Sequence, residues 1–321
     1  MLTTVAATTV KKKKQYRGVT RATRIMRNIA FIIPAIIMLI MIICAIFADL
    51  SWMGLPQYGL APHDPNQINM SYRYLPPAFL GPRTVTISGE EVQIPGNDFL
   101  LGTDKLGRDI LSRVIHGARV SLSVSLIAIF ITAFIGTALG IMAGYFGGRT
   151  DAFIMRITDM ALSFPGLLLA MLLSVAVGPG FKTVVFALSV LGWAGYSRMI
   201  RGEAMRIAQS DFVAQARVNG ASGWRIMTLH IFPNIVNSLV VIMTLSVGMM
   251  ILAESAFSYI GIGITAPQAS WGSIVNDGRA YLDTAWWIST FPGICIGLVV
   301  LSGNFLGDWI RDKLDPRLRQ L

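Results

Sequence analysis

Two glycine-containing runs have residue types that could bind a nucleotide phosphate. Gly102 and Gly107 have the glycine spacing of a P-loop, and Arg108 and Asp109 follow them. A P-loop also needs a Lys and then a Ser or Thr after the second glycine, because the Lys reaches the phosphates and the hydroxyl holds Mg²⁺. Both are missing here, no clear strand precedes the run, and residues 178–183 fail on spacing. The chain therefore carries no ATPase motif.

Other catalytic chemistry finds little support. His63, His116 and His230 are far apart and predict no metal cluster, and Cys44 and Cys295 both fall inside predicted apolar helices, where they act as small apolar residues. An intramembrane enzyme would need a nucleophile with a base, or metal ligands, at membrane depth. The predicted spans hold no histidine and no carboxylate pair, so this class ranks last.

A polar stretch at residues 198–230 is much longer than the two to eight residues that a simple helix connection needs. Within it, Ser210 or Asp211 can cap the start of a short helix, and Gly220 suits the left-handed turn that ends one. Phe212, Val213 and Ala216 are predicted to share one face of this helix. So short a helix is marginal in water by itself. It must therefore pack against the chain's own helices or against a partner protein.

Four glycines recur at every fourth position within one apolar segment. They are Gly136, Gly140, Gly144 and Gly148. Residues four apart share one face of a helix, and small residues there let a second helix approach closely. The stripe predicts either a sliding contact within a transporter or a plain packing face.

The elements that carry these residues are predicted to be membrane helices. Of 321 residues, 54% are hydrophobic and only 14% are charged, whereas soluble chains carry roughly 25% charged residues. Crossing the membrane takes roughly 20 apolar residues. Uncharged gaps of suitable length predict six spans: residues 28–48, 120–148, 160–181, 183–197, 231–253 and 284–307. The middle of each span lacks Asp, Glu, Lys and Arg, which argues against an ion-coupled secondary transporter.

Basic residues predict the orientation. If the N-terminal end is cytoplasmic, six crossings place the C-terminal end inside too, and 19 of the 27 Lys and Arg residues then lie on the cytoplasmic side. The net charge of +10 is then explained by topology and attraction to the membrane surface rather than by nucleic-acid binding.

The predicted organisation follows from these spans. A cytoplasmic basic arm (1–29) precedes the first transmembrane helix (30–50), an external segment (51–117), a core (118–310) and a cytoplasmic tail (311–321). The external segment is rich in proline, and alternation in residues 84–94 allows a short hairpin.

A few polar and aromatic residues near the predicted span ends are assigned individually. Glu254 and Asp159 are expected to face water at the membrane interfaces, and Asp277 to lie in a solvated external loop. Trp286 and Trp287 are expected to be interfacial anchors.

The polar stretch resembles the cytoplasmic signature of binding-protein-dependent ABC importer permeases, which reads Glu-Ala-Ala, three residues, Gly, nine residues, then Ile-x-Leu-Pro. The resemblance assigns coupling to an ATPase subunit to Asp211, Phe212, Ala214, Gln215, Ala216, Gly220 and Pro233. Ala216, Gly220 and Pro233 match strictly, whereas Ala214 and Gln215 replace the Glu and the first Ala.

Further runs narrow the resemblance to the C-type subunit of dipeptide, oligopeptide and nickel permeases. They are Leu101-Gly102-Thr103-Asp104-Lys105-Leu106-Gly107-Arg108-Asp109, Ser112-Arg113, Gly117-Ala118-Arg119-Val120-Ser121-Leu122, Gly144-Tyr145-Phe146-Gly147-Gly148, Ser270-Trp271-Gly272 and Asp315-Pro316-Arg317-Leu318. Together they extend from about residue 100 to the end of the chain.

The resemblance implies an all-α integral membrane protein of the plasma (inner) membrane, with a type I importer core of five helices plus one N-terminal helix. Implied partners are a second permease, two cytoplasmic ATPase subunits, an external peptide-binding protein and the lipid bilayer, with no nucleic acid. No cofactor belongs to this chain, since ATP and Mg would be bound by the ATPase subunits. The implied cargo is a di- or oligopeptide; nickel or another small solute is the alternative.

Overall fold

The computed structural model describes residues 31–48, 59–81, 83–87, 90–95 and 98–314. The predicted basic arm and the run at residues 315–318 lie outside the described residues. The helices are α1 Phe31–Phe47, α2 Ile110–Phe146, α3 Gly148–Ser163, α4 Gly166–Val177, α5 Phe181–Ala208, α6 Asp211–Val218, α7 Gly223–Ile226, α8 Phe232–Ile260, α9 Trp271–Gly278 and α10 Trp287–Leu314. A π-helical turn, Met227–Ile231, joins α7 to α8.

The predicted hairpin is present in the segment between α1 and α2. Strands β1 (Thr84–Ile87) and β2 (Glu90–Gln93) pair antiparallel, with Thr84 opposite Gln93. Short 3₁₀ helices at Met70–Tyr72 and Ala78–Leu80 precede the hairpin.

Among the described residues, four helices are long and apolar enough to cross a membrane. They are α2, α5, the continuous unit Gly223–Ile260 and α10. The pair α3 and α4 forms a fifth candidate, bent by 83°, and α1 is an apolar helix of 17 described residues. The prediction of a helical, multi-pass membrane protein agrees with this architecture.

The predicted third span, residues 160–181, is wrong as a single helix. Pro165 follows α3, and Phe164 before it takes an extended conformation (φ −76°, ψ 132°) because the proline ring clashes with a helical residue at that position. The chain therefore bends, and α4 has only 12 residues. A helix of that length spans about 18 Å, less than the roughly 30 Å of hydrocarbon.

Three helix boundaries also differ from the predicted ones. Helix α2 begins at Ile110 rather than at 118, because the Asp109 carboxylate caps it by accepting a hydrogen bond from the Ser112 amide at 2.9 Å. Helix α5 continues to Ala208, so the first eleven residues of the predicted loop at 198–230 are helical. The last helix likewise runs past residue 310, to Leu314.

The glycine stripe of α2 faces α5. A Cβ on Gly136, Gly140 or Gly144 would lie within 2.9 Å of backbone oxygens of Trp193, Ser197 and Arg201, respectively. The two backbones can approach so closely only because these side chains are absent. Gly148 does not belong to this face: it has φ +51° with open space around it, since α2 ends at Phe146 and the chain turns there.

The helices α1 and α8 both run antiparallel to α10. The rings of Phe31 and Trp309 stack at 4.0 Å, and Leu245 packs on Gly307 of α10. The start of α1, the end of α10 and helix α6 therefore lie at one end of the bundle, called here the α6 end. Helix α9 and the segment between α1 and α2 lie at the opposite end, called here the α9 end.

We expect Gly140→Ala to lower the stability of the protein by about 1–3 kcal/mol, because the added methyl group would overpack a contact with backbone atoms. A Cβ at this position would lie 2.7 Å from the Ser197 carbonyl oxygen and 3.0 Å from the Arg201 amide nitrogen. The thermal unfolding midpoint of the detergent-solubilised protein measures the effect.

The matched control is Gly195→Ala, since Gly195 is a helical glycine of α5 with no atom within 4 Å of the added Cβ. Its midpoint should stay level or rise, because alanine favours helix over glycine by about 1 kcal/mol. Equal midpoints for the two variants would contradict the packing role of the stripe.

Candidate functional site

Helix α6 is the short helix expected between Ser210 and Gly220. Ser210 precedes it, but its hydroxyl donates to the Ile207 carbonyl at 2.6 Å instead of capping the helix. At the other end, Gly220 has φ +79°. The Gly220 amide donates to Arg217 O and the Ala221 amide to Ala216 O, both at 3.0 Å, which is the hydrogen-bond pattern of a Schellman motif.

The two faces of α6 differ in burial. Val213 is fully buried and Ala216 nearly so, and both pack into an apolar cluster with Ile200 of α5. Phe212 is 44% exposed and Val218 is 86% exposed. The sequence predicts that Phe212 shares a face with Val213 and Ala216; in the structure it lies at the edge of that face, about 100° around the helix from Val213, and is exposed. One side of α6 is thus anchored to the chain's own helices, and the other side is open and carries both apolar and polar side chains.

The remaining predicted coupling residues separate into two places. Asp211, Ala214 and Gln215 are exposed on α6. Pro233 is exposed in the first turn of α8. The π-helical turn just before it is closed by a hydrogen bond from the Phe232 amide to the Met227 carbonyl.

Tyr145 connects the end of α2 to α6 and to the start of α7. The Arg217 guanidinium lies over its ring, 5.1 Å from the centroid, and a Cβ on Gly223 would lie 3.2 Å from its Cε1. Tyr145 directly follows Gly144, the last glycine packed on α5. The orientation of α6 is therefore tied to the α2–α5 pair.

Two ion pairs hold α3 against α5 at the α6 end. Arg201 binds Asp151 through both carboxylate oxygens, and Arg198 binds Asp159. The side chains of Arg198 and Asp159 are both more than half exposed. Asp159 is thus exposed and paired with Arg198; that it faces water at the membrane interface stays a prediction.

At the α9 end, Asp104 is a buried carboxylate that organises a loop. It accepts hydrogen bonds from the backbone amides of Leu106 at 2.8 Å and Arg108 at 3.0 Å. It also accepts from Arg108 Nε at 2.7 Å and Arg113 Nη1 at 2.6 Å. Gly107 allows this turn, because its φ is +73° and a Cβ there would clash with Asn69 O at 1.7 Å. The P-loop-like glycines therefore shape a charge-binding turn within the protein.

Asp277 of α9 completes the cluster. Its carboxylate binds Arg113 at 3.0 Å and both Arg108 and Lys105 at 3.2 Å. Burial alone would raise the pKa of Asp277, but Arg113, with Lys105 and Arg108, outweighs that effect and holds the pKa below its ordinary value. The sequence predicts that Asp277 lies in a solvated external loop, and this prediction is wrong. In the structure Asp277 joins α9 to the start of α2.

Two tryptophans reinforce this junction. The indole Nε1 of Trp271, fully buried, donates to Val114 O at 2.9 Å, and that of Trp287 donates to Thr103 O at 3.0 Å. Trp287 is only 5% exposed, so its predicted role as an interfacial anchor is wrong. Trp286, at 37% exposed, keeps a surface position.

Glu254 is also placed differently from the prediction. It is fully buried near the end of α8, where its carboxyl group accepts hydrogen bonds from Ser121 of α2 at 2.9 Å and Ser258 at 2.8 Å. It cannot face water because α9 packs directly on α8: a Cβ on Gly272 would lie 2.4 Å from Ser255 O.

Comparison with known protein families identifies the family to which this chain belongs. Residues 136–320 match the family described as binding-protein-dependent transport system inner membrane component. The chain belongs to this permease family. The match includes the C-terminal part of α2, from Gly136, and all later helices, with α6 and α9 among them.

Relatives of the permease are similar over most of its length. It is 38% identical over 298 residues to a putative peptide transport system permease protein of Brucella abortus, covering 93% of this chain and 91% of the relative. It is 42% identical over 245 residues to the dipeptide transport system permease protein DppC of Bacillus subtilis, covering 75% and 77%. It is 38% identical over 225 residues to the glutathione transport system permease protein GsiD of Pectobacterium atrosepticum, covering 70% and 75%.

A solved structure supports the fold. A chain of the methionine ABC transporter MetNI, in an inward-facing conformation, superposes with a TM-score of 0.54. The superposition covers 64% of the permease and 98% of that chain. At 16% identity the likeness shows a shared fold only.

Sequence reasoning missed the partners of the α9-end cluster. Asp104, Arg108 and Arg113 occur in the runs that carried the family resemblance, but no spacing rule links them to Asp277, which is 164 residues from Arg113. The available signal was indirect: acidic and basic residues close to predicted span ends.

We expect Asp277→Asn to destabilise the permease by about 1–3 kcal/mol at pH 7, the range for hydrogen bonds to charged groups. Because the folded pKa of Asp277 is lowered, its contribution is present at neutral pH and is lost as the pH falls from about 4, the ordinary pKa of Asp, through the lower pKa of the folded state. The unfolding midpoints of wild type and variant should therefore converge in acid.

The control is Asp283→Asn, a change at an exposed carboxylate shortly after α9. It should leave the midpoint unchanged across the same pH range. A constant difference between wild type and Asp277→Asn from pH 7 to below pH 4 would contradict the ionic origin of the effect.

Proposed function

We propose that this chain is the transmembrane permease subunit of an ATP-driven importer that takes up di- or oligopeptides delivered by an external binding protein. The names of three relatives, a peptide, a dipeptide and a glutathione permease, support the cargo class. The observation that carries the coupling role is α6, a short helix that is buried against the chain's own helices on one side and exposes two large apolar side chains, Phe212 and Val218.

In this proposal the α6 end is cytoplasmic. The start of α1 and the end of α10 lie at the same end as α6, so the basic residues next to them along the chain would be cytoplasmic, as the excess of positive charge on that side requires. Six crossings result when α1 and the bent α3–α4 pair are counted with the four long helices. The protein then lies in the plasma (inner) membrane, with its α9 end facing the binding protein.

The partners follow from what this chain lacks. Its sequence carries no ATPase motif, so two cytoplasmic ATPase subunits would hold ATP and Mg²⁺, and a second permease would complete the pathway. The exposed side of α6, which carries Asp211, Phe212, Ala214, Gln215 and Val218, would face a groove of one ATPase subunit, and Gly220 would lie at the end of this contact.

Movement of the ATPase subunits would be transmitted from α6 to the rest of the bundle through rigid contacts. Val213 and Ala216 fix α6 on α5, Tyr145 fixes it on α2, and the glycine stripe locks α2 to α5. When the ATPase subunits close, α6 and the α2–α5 pair would move as one body and tip the pathway from inward-facing to outward-facing.

The magnitudes allow this. Moving a two-state equilibrium from 1:99 to 99:1 takes about 5.5 kcal/mol of differential binding. Burying roughly 300 Å² of apolar surface contributes about 7 kcal/mol before ordering costs are subtracted. Burial of α6 against an ATPase subunit would therefore supply enough binding free energy, by a narrow margin.

We expect Phe212→Ala and Val218→Ala to weaken ATPase-subunit binding by about 5- to 30-fold each, the effect of losing roughly 1–2 kcal/mol of interface contact. Both side chains are exposed in the free chain, so folding should be unaffected. The measurements are co-purification with the ATPase subunits and ATP-dependent uptake of a labelled tripeptide into proteoliposomes containing the binding protein.

The control is Ile68→Ala, which removes a 58% exposed apolar side chain at the opposite end of the bundle. Unchanged assembly and uptake in the Phe212 and Val218 variants would refute coupling through α6. Uptake of labelled nickel, with no uptake of tripeptide, would refute the cargo assignment and leave the coupling result standing.

We further expect Tyr145→Leu to reduce the number of peptides imported per ATP hydrolysed, whereas Tyr145→Phe should retain it. The aromatic ring carries the contact with Arg217, and such contacts at exposed sites are worth about 0.5–1 kcal/mol. Adding Arg217→Gln to Tyr145→Leu should cause little further loss. Strictly additive losses would contradict a direct link between the two side chains.

A further inference from the structure

An exposed apolar pair lies in the segment between α1 and α2. In the 3₁₀ helix Ala78–Leu80, Phe79 is 64% exposed and Leu80 is 54% exposed. No charged residue occurs from residue 74 to residue 82. The proline-rich composition predicts an external, water-facing segment, so this apolar pair calls for a partner.

The segment is held firmly, so the exposure does not come from a loose loop. The side chain of Arg83, only 4% exposed as a residue, donates hydrogen bonds to four backbone carbonyls. They belong to Pro76 at 3.3 Å, Pro95 at 2.7 Å, Asp98 at 2.8 Å and Phe99 at 3.1 Å. The Ala78 amide also donates to Leu100 O at 3.1 Å.

The same segment lies against the first turns of α10. The backbone nitrogen of Pro77 and the indole nitrogen of Trp287 are both within about 3.1 Å of the point where a Cβ on Gly102 would lie. The ring of Phe79 meets that of Phe291 edge-on, with centroids 6.4 Å apart. Phe79 therefore reaches one helical turn further along α10 than Trp287 does.

The position of Phe79 along α10 corresponds to the depth of the membrane interface. Phe291 is four residues into α10, about 6 Å along the axis of a helix that can span the bilayer. Below it, the same face of α10 continues with the exposed residues Ile294, Leu301 and Phe305. Trp286, whose ring is 6.0 Å from that of Phe291, adds an aromatic group of the kind that collects at headgroup level.

We infer that Phe79 and Leu80 insert into the lipid interface at the α9 end and seat the segment between α1 and α2 on the bilayer. Their apolar surface is continuous with the lipid-facing stripe of α10, so the bilayer that covers the stripe covers them as well. The anchor fixes the height of this segment relative to the membrane at the end where cargo would enter. The inference depends on the membrane position of α10 and not on the cargo or on coupling through α6.

Spin-label accessibility tests this inference in the full transporter complex reconstituted in phosphatidylethanolamine–phosphatidylglycerol vesicles. A nitroxide is attached at Leu80→Cys in a background with Cys44→Ala and Cys295→Ala. The matched control is Gln93→Cys, an exposed position in the polar hairpin of the same segment.

Collision with dissolved oxygen should exceed collision with a water-soluble nickel chelate at position 80, and the order should reverse at position 93. Higher accessibility to the chelate than to oxygen at position 80 would place it in water and overturn the inference. Low accessibility to both reagents would mean that a protein partner covers it, and would overturn the inference equally. Peptide uptake plays no part in either result, so a failed anchor and a failed import function remain distinguishable.

Discussion

The close approach of α2 and α5 is the contact on which the rest of the structure depends. Three glycines on one face bring the two backbones together over about two helical turns, and the Cβ atoms of Tyr196, Ile200 and Ala204 pack directly against them. Backbone-to-backbone packing of this kind tolerates little sliding, because every residue of the contact is in van der Waals range. Both ends of the bundle are built on this pair.

The two ends of the bundle are attached to this helix pair by different kinds of interaction. At the α6 end the attachment is mostly apolar, through Val213, Ala216 and the ring of Tyr145. At the α9 end it is mostly polar: two buried arginines, Arg108 and Arg113, share the carboxylates of Asp104 and Asp277. Buried charges cost desolvation energy and tolerate only precise partners. The polar end therefore specifies one arrangement, whereas the apolar end leaves a surface for a partner.

Within a permease, this division assigns distinct mechanical roles. A rigid polar junction keeps α9 and the segment before α2 in register with the bundle, at the end where a binding protein would deliver cargo. The proposed coupling role fits a short helix with one buried side and one exposed side, because such a helix can form and break a contact while it stays attached to the bundle. The bend at Pro165 adds a helix pair, in which α3 is joined to α5 by two ion pairs and α4 packs on α5 through the buried Ala170.

Properties that depend on local chemistry could be read from the sequence. The apolar spans, the helix stop at Gly220 and the hairpin at residues 84–94 were predicted because each depends on neighbouring residues only. The bend at Pro165 was also local, yet the uncharged run around it concealed the break. Tertiary structure decided the burial of Glu254, the partners of Asp277 and the outward face of Phe212. Those outcomes depend on which surfaces meet across more than a hundred residues of chain, and the spacing of residues along one helix does not specify the helix that will cover it.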